Sequence, residues 1–254
     1  MSRNRDELVE AWLREEREPF SGWDFSYLKG RIKGEREPWS YLDRAAELMG
    51  RSSSVIDMET GGGEKFSSLR EHWPARVVAT EGYDPNFKLA KERLSPLGVE
   101  VVKIGDSYKE PMPFADGEFD LVLNRHGDFM PREVARVLSP GGTFLTQQVH
   151  GMSLWDLQAA FDTTPQWPDA TPETFVPLLE AAGLTIVNVE KWEGRKVFED
   201  VGAIVYYLKA IPWEVPEFTV ESHLRYLLAL QERIEAGEEL GFYAARYMIE
   251  ARKA

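Results

Sequence analysis

A short apolar run, Val55-Ile56-Asp57, passes through Met58-Glu59-Thr60 into Gly61-Gly62-Gly63, and a helix-like stretch starts at Glu64. A strand that turns through glycines into a helix is the entry to a crossover between parallel strands, and this constrains the fold more than any other feature of the chain. The same texture recurs downstream. Apolar runs at 54–57, 76–81, 100–104, 119–124 and 142–149 alternate with helix-like segments at 64–72, 85–94 and 131–138, the last stopped by Ser139-Pro140-Gly141-Gly142. That alternation predicts an α/β protein with an open, doubly wound sheet.

Beyond it come helices at 153–161 and 172–182 and a sixth strand over 184–189. Val201, Ile204, Val205, Leu208 and Ile211 follow helical spacing, although Val205-Tyr206-Tyr207-Leu208 would also suit a strand; the segment is read as helix. A helix at 219–236 and a closing seventh strand around 243–251 complete the chain. The aromatic, helical residues 1–50 read as a lid or substrate-side segment. Residues 51–254 read as the main domain, with a helical insertion at about 194–240 before the last strand.

Charge narrows the partners. Thirty Lys and Arg stand against 43 Asp and Glu, a net charge of −13, so a surface built to displace counterions from nucleic acid is not expected. No apolar run approaches the roughly 20 residues of a membrane span, and the charged start, Met1 to Glu7, lacks a secretory apolar core. Without cysteine the chain has no use for an oxidising compartment, and a cytoplasmic location is expected. The histidines show no metal-ligand spacing, so no metal is expected.

The glycine loop places a ligand beyond the carboxyl ends of the strands. A dinucleotide fingerprint starting at Gly61 would need glycine where Phe66 stands, and Glu64 would face the pyrophosphate with like charge. No G-K-[ST] run completes a P-loop. S-adenosylmethionine carries no phosphate, and its sulfonium suits an acidic, aromatic-rich protein. On that reading Asp57 takes the ammonium, the amides of Gly61, Gly62 and Gly63 take the carboxylate, and Glu81 accepts from the ribose diol. Asp106 accepts from the adenine amino group, while Glu59, Thr60, Gly82 and Ser107 line the same strand ends.

These landmarks, with the 113–122 run before the fourth strand and 134–143 before the fifth, resemble class I S-adenosylmethionine-dependent methyltransferases of the small, seven-stranded type. The resemblance covers roughly residues 50–150. It implies strand order 3-2-1-4-5-7-6 with the last strand antiparallel, and places Asn124, Arg125 and His126 near the transferable methyl, with His126 the candidate general base. The family loop is usually [DE]-x-G-x-G-x-G; Glu59 holds the first glycine position here. Trp23, Phe25, Trp39 and Tyr207 are candidate walls of an acceptor pocket, as are Tyr27, Tyr41, Tyr206 and Trp213. The expected function is in-line methyl transfer to a small molecule, governed mainly by positioning. The rival readings are a cofactor-binding regulatory module without turnover, and an RNA or protein methyltransferase.

Overall fold

The computed structural model describes residues 5–105 and 110–254. The chain divides into two compact units, each assembled from three stretches. The first comprises residues up to Arg36, His150–Asp169 and Glu193–Ala245; the second comprises Glu37–Val149, Ala170–Trp192 and Arg246–Ala254.

The second unit carries the α/β alternation. Its strands are β2 (Ser54–Met58), β3 (Arg76–Glu81), β4 (Glu100–Lys103), β5 (Phe119–Arg125) and β6 (Leu138–Val149), with parts of β7 (Leu184–Phe198) and β8 (Leu240–Lys253). Parallel ladders join β4 to β3, β3 to β2, β2 to β5 and β5 to β6; β8 runs antiparallel to β6. Every residue of β2 is buried, as expected for a strand covered on both faces. Helix α2 (Tyr41–Met49), capped by Ser40, packs Tyr41, Ala45, Leu48 and Met49 with Val55, Leu121, Leu123 and Leu145. Ile56, Val122 and Phe144 belong to a second cluster with Leu179 of α7 (Pro172–Ala181). Alternate residues of the strands thus supply two cores.

One further strand, β1 (Ile32–Gly34), is not announced by the sequence, and the full order is β1-β7-β8-β6-β5-β2-β3-β4. The sheet therefore has eight strands, a correction to the seven expected. Without β1, the other seven fall in the order β4-β3-β2-β5-β6-β8-β7. Three residues are too few to show a period of two, and β1 exists because Ile32, Lys33 and Gly34 pair antiparallel with Phe198, Val197 and Lys196. The same pairing keeps β7 extended to Phe198, beyond the 184–189 read from its apolar run. Ser139 to Gly142, read as a helix stop, forms an irregularity within β6, where pairing skips from Phe119↔Leu138 to Leu121↔Thr143.

The first unit has its own core. Leu8 and Trp12 of α1 (Arg5–Arg17), Leu157 of α6 (Trp155–Ala159), nearly all of α8 (Val201–Ala210), and Leu227 and Leu230 of α9 (Leu224–Glu235) form one buried cluster. Helix α8 is buried all round, which explains why its sequence also reads as a strand. Asp200 caps α8 by accepting from the Ala203 amide at 2.8 Å, and it shares Arg31 with Glu15 through hydrogen bonds of 2.7–3.1 Å. Burial alone would raise the Asp200 carboxyl, but Arg31 and the Ala203 amide hold it below the usual carboxylate range. Asp200→Ala removes the cap and half of the Arg31 clamp, and should cost about 2 kcal/mol in urea unfolding. An unchanged midpoint would show that the clamp contributes nothing.

Candidate active site

Beyond β2 the backbone turns through two left-handed glycines, Gly61 (φ 64°) and Gly63 (φ 78°), before the short helix α3 (Glu64–Ser67). Glu59, at the first glycine position of the pattern, is itself left-handed (φ 52°), a conformation that disfavours any side chain. Its carboxylate accepts from the Gly82 amide at 3.4 Å, and its Cβ lies 2.5 Å from where a Cβ on Gly127 would stand. Glycine at position 127 is what makes room for Glu59.

Glu81, at the end of β3, is buried and ties the loops together. Oε2 accepts from Gly61 N and Oε1 from Tyr83 N, both at 2.8 Å. Burial pushes this carboxyl up from its usual value, against those backbone amides. Of the three amides expected to meet a carboxylate, Gly61 N is thus engaged by Glu81, and Gly63 N donates to Thr60 O at 3.1 Å. The loop is left with Gly62 for that task.

Asp57 is the most perturbed acid of the site. Burial pushes its carboxyl up to about 7, opposed by the Thr60 hydroxyl and the Arg125 charge. The Thr60 hydroxyl beside it is buried as well. Asn124, fully buried at the end of β5, accepts from Thr146 Oγ1 at 3.0 Å and Gln148 Nε2 at 2.6 Å, which fixes the turn that follows. His126 is exposed in that turn with φ 63°. Trp39 Nε1 donates to Gln147 Oε1 at 2.8 Å, so the Gln147 amide must turn its NH₂ group toward His126 Nε2, 3.1 Å away. That nitrogen then accepts, and His126 cannot act as a base through it without leaving Gln147.

Asp57, Glu59, Thr60, Gly61 to Gly63, Glu81, Gly82, Asn124, Arg125 and His126 all lie at the carboxyl ends of β2, β3 and β5. Asp106 and Ser107 lie outside the described residues. Trp23, Phe25 and Tyr207 fall within the first unit, with Trp23–Phe25 ring centroids 6.3 Å apart and Phe25–Tyr207 5.8 Å. Trp39 does not join them; it belongs to the second unit, on Gln147. Gln147 escapes a reading of the sequence alone. Its only signal there is the pair of amides, Gln147-Gln148, closing an otherwise apolar strand.

Residues 56–146 match a family model described as a methyltransferase domain. This segment is similar to methyltransferase domains. The chain is 29% identical over 161 residues to the fatty-acid O-methyltransferase of Mycolicibacterium smegmatis, which aligns 60% of this chain with 54% of that protein. It is 23% identical over 222 residues to the sarcosine/dimethylglycine N-methyltransferase of Halorhodospira halochloris, covering 82% of this chain and 69% of the relative. The chain thus spans about half of the first relative's length. A structure from Deinococcus radiodurans R1, described as functionally unknown, shares the fold over 98% of both chains at a TM-score of 0.56 and 14% identity. The matched segment holds the whole strand-end cluster from Asp57 to Asn124, together with Arg125 and His126. Among the described residues no helix is long and apolar enough to cross a membrane.

Proposed function

We propose that the chain is an S-adenosylmethionine-dependent methyltransferase acting on a small molecule. The observation that carries this reading is the buried Asp57 behind the left-handed glycine turn. A buried carboxyl is costly to ionise and suits a ligand that brings a countercharge. Asp57 would hold the ammonium, Glu81 the ribose hydroxyls, and Gly61 to Gly63 would let the backbone approach closely. When bound, the cofactor supplies an electrophilic methyl group on a sulfonium.

The chain's own work is then to bind and orient. Alignment contributes on the order of 7–11 kcal/mol to such a reaction, more than the roughly 3–5 kcal/mol of a general base. This fits a site where the one candidate base, His126, is held by Gln147. The names of the two relatives, acting on a fatty acid and on small amino acids, support a small-molecule acceptor, as does the net charge of −13. The aromatic group of Trp23, Phe25 and Tyr207 in the first unit is the part we assign to acceptor recognition, and the cytoplasm is the setting this reading implies. Calorimetric titration with S-adenosylhomocysteine tests the core of it. Saturable binding is expected; retention of NADH or ATP in its place would overturn the proposal.

A further inference from the structure

The first unit holds a second group of polar side chains whose chemistry is incomplete. Glu214 lies in the turn that follows α8, its amide donating to Ile211 O at 3.1 Å. Thr163 Oγ1 bonds the carbonyls of both Gln158 and Glu214, at 3.2 and 3.3 Å, which fixes that turn against the end of α6. Gln158 Nε2 donates to the Glu214 carboxylate at 2.5 Å, whereas Gln158 Oε1 is buried and has no hydrogen-bond partner. Burial raises the Glu214 carboxyl, opposed first by the Lys196 charge and then by Gln158. An acid withdrawn from water and an orphaned amide oxygen are both completed by a donor that carries positive charge.

Lys196, from β7, shows what such a donor meets. Its ammonium stands 4.3 Å from the centre of the Tyr207 ring, donates to the Tyr207 hydroxyl, and acts electrostatically on Glu214. Tyr207 continues into a row of rings. Phe25 lies 5.8 Å from it, Trp23 6.3 Å from Phe25, Trp213 5.8 Å from Trp23 and Trp167 6.3 Å from Trp213, centre to centre. Trp213 immediately precedes Glu214, and Trp23 and Trp167 are 48% and 55% exposed. Among the described residues no Lys or Arg stands over any ring of this row except Tyr207. Aromatic faces attract cations, and exposed aromatics that adjoin one another mark a binding site where single ones do not.

A carboxylate guest would have Lys196 to meet, which is already drawn to Tyr207 and Glu214, and would set like polarity against the Glu214 carboxyl and Gln158 Oε1. A cation suits the acid, the orphaned oxygen and the rings together. We infer that this group is a receptor for a methyl acceptor bearing an alkylammonium group, with Glu214 as its counter-ion, Gln158 Oε1 as a second oxygen, and the faces of Trp23, Phe25 and Trp213 around its alkyl arms. The Lys196 ammonium holds the place in the ligand-free protein and yields it to the guest. The inference names the substrate class of the aromatic group assigned above, and it rests on that reading for the guest's methylation but not for its binding.

Calorimetry with three probes of similar shape reads the charge preference: N,N-dimethylbutylamine, which is an ammonium at neutral pH, hexanoate and hexan-1-ol. Wild type is expected to bind the amine in preference to both others. Glu214→Gln should weaken the amine by about tenfold or more, and Trp213→Leu by about 2- to 30-fold. Lys196→Met should tighten it, because a competing like charge leaves the Tyr207 ring. Equal affinity for amine and alcohol, amine binding that Glu214→Gln leaves unchanged, or hexanoate binding that Lys196→Met abolishes each overturns the receptor. Thermal melts control for folding. Should Glu214→Gln not fold, Lys196→Met decides, since receptors for an amine and for a carboxylate predict opposite signs for it. S-adenosylhomocysteine, titrated separately, keeps the two readings apart. Nucleoside binding without amine binding overturns the receptor alone, and amine binding without nucleoside binding supports the receptor while overturning the methyltransferase reading.

Discussion

Asp57→Asn should make the ligand-free protein more stable at pH 8, by up to about 4 kcal/mol, and no more stable near pH 3. The folded carboxyl keeps its proton up to about pH 7, whereas the unfolded chain releases it near its ordinary value of 3.8. Between those values the folded state binds more protons, so stability falls as pH rises, and the loss is complete above pH 7. Asparagine mimics the protonated acid and escapes that loss. Burial is the main cause of the shift, with Glu81 adding to it and Thr60 and Arg125 opposing it. Urea unfolding of both proteins at pH 3, 6 and 8 reads the effect directly, and parallel curves at all three would refute it. The same substitution should cost ligand affinity. In wild type, affinity for an ammonium-bearing ligand should climb with pH until Asp57 is ionised, and the variant should lack that rise.

Gly63→Val is the second large effect, with an expected cost of about 2–5 kcal/mol. Two contributions add. A β-branched residue at φ 78° pays for the left-handed region, about 1–2 kcal/mol. The new Cβ would also stand 2.8 Å from Leu94 Cδ1, and Leu94 is fully buried, so overpacking adds about 1–3 kcal/mol. Gly98 separates the two terms. It has φ 90°, and a Cβ added there would meet nothing within 4 Å, so Gly98→Ala should cost only the backbone part, about 1–2 kcal/mol. Equal losses at the two positions would mean that contact with Leu94 is unimportant.

Much of the sheet was legible because apolar runs and glycine turns are local signals. The run 54–57 became β2, the glycines became a left-handed turn, and 201–211 became α8 despite its strand-like centre. What escaped depends on partners distant in sequence. Strand β1 is recognisable only against Phe198, and the polar second half of β7 only through its ladder. Within the site, spacing located Asp57, Glu81 and Asn124, but whether a side chain is already satisfied is a property of packing. The engagement of Gly61 N by Glu81 and the hold of Gln147 on His126 leave no trace in the order of residues.

The position of β8 bears on biosynthesis. It is made after the other strands of this sheet, yet it lies between β6 and β7, pairing with β6 from Val149↔Arg246 to Thr143↔Arg252. While translation is still short of residue 246, β6 offers a bare row of amides and carbonyls to any neighbouring polypeptide. Nascent chains stalled in that interval should be sticky and dependent on chaperones, and they should become protease-resistant only when the closing segment has emerged from the ribosome.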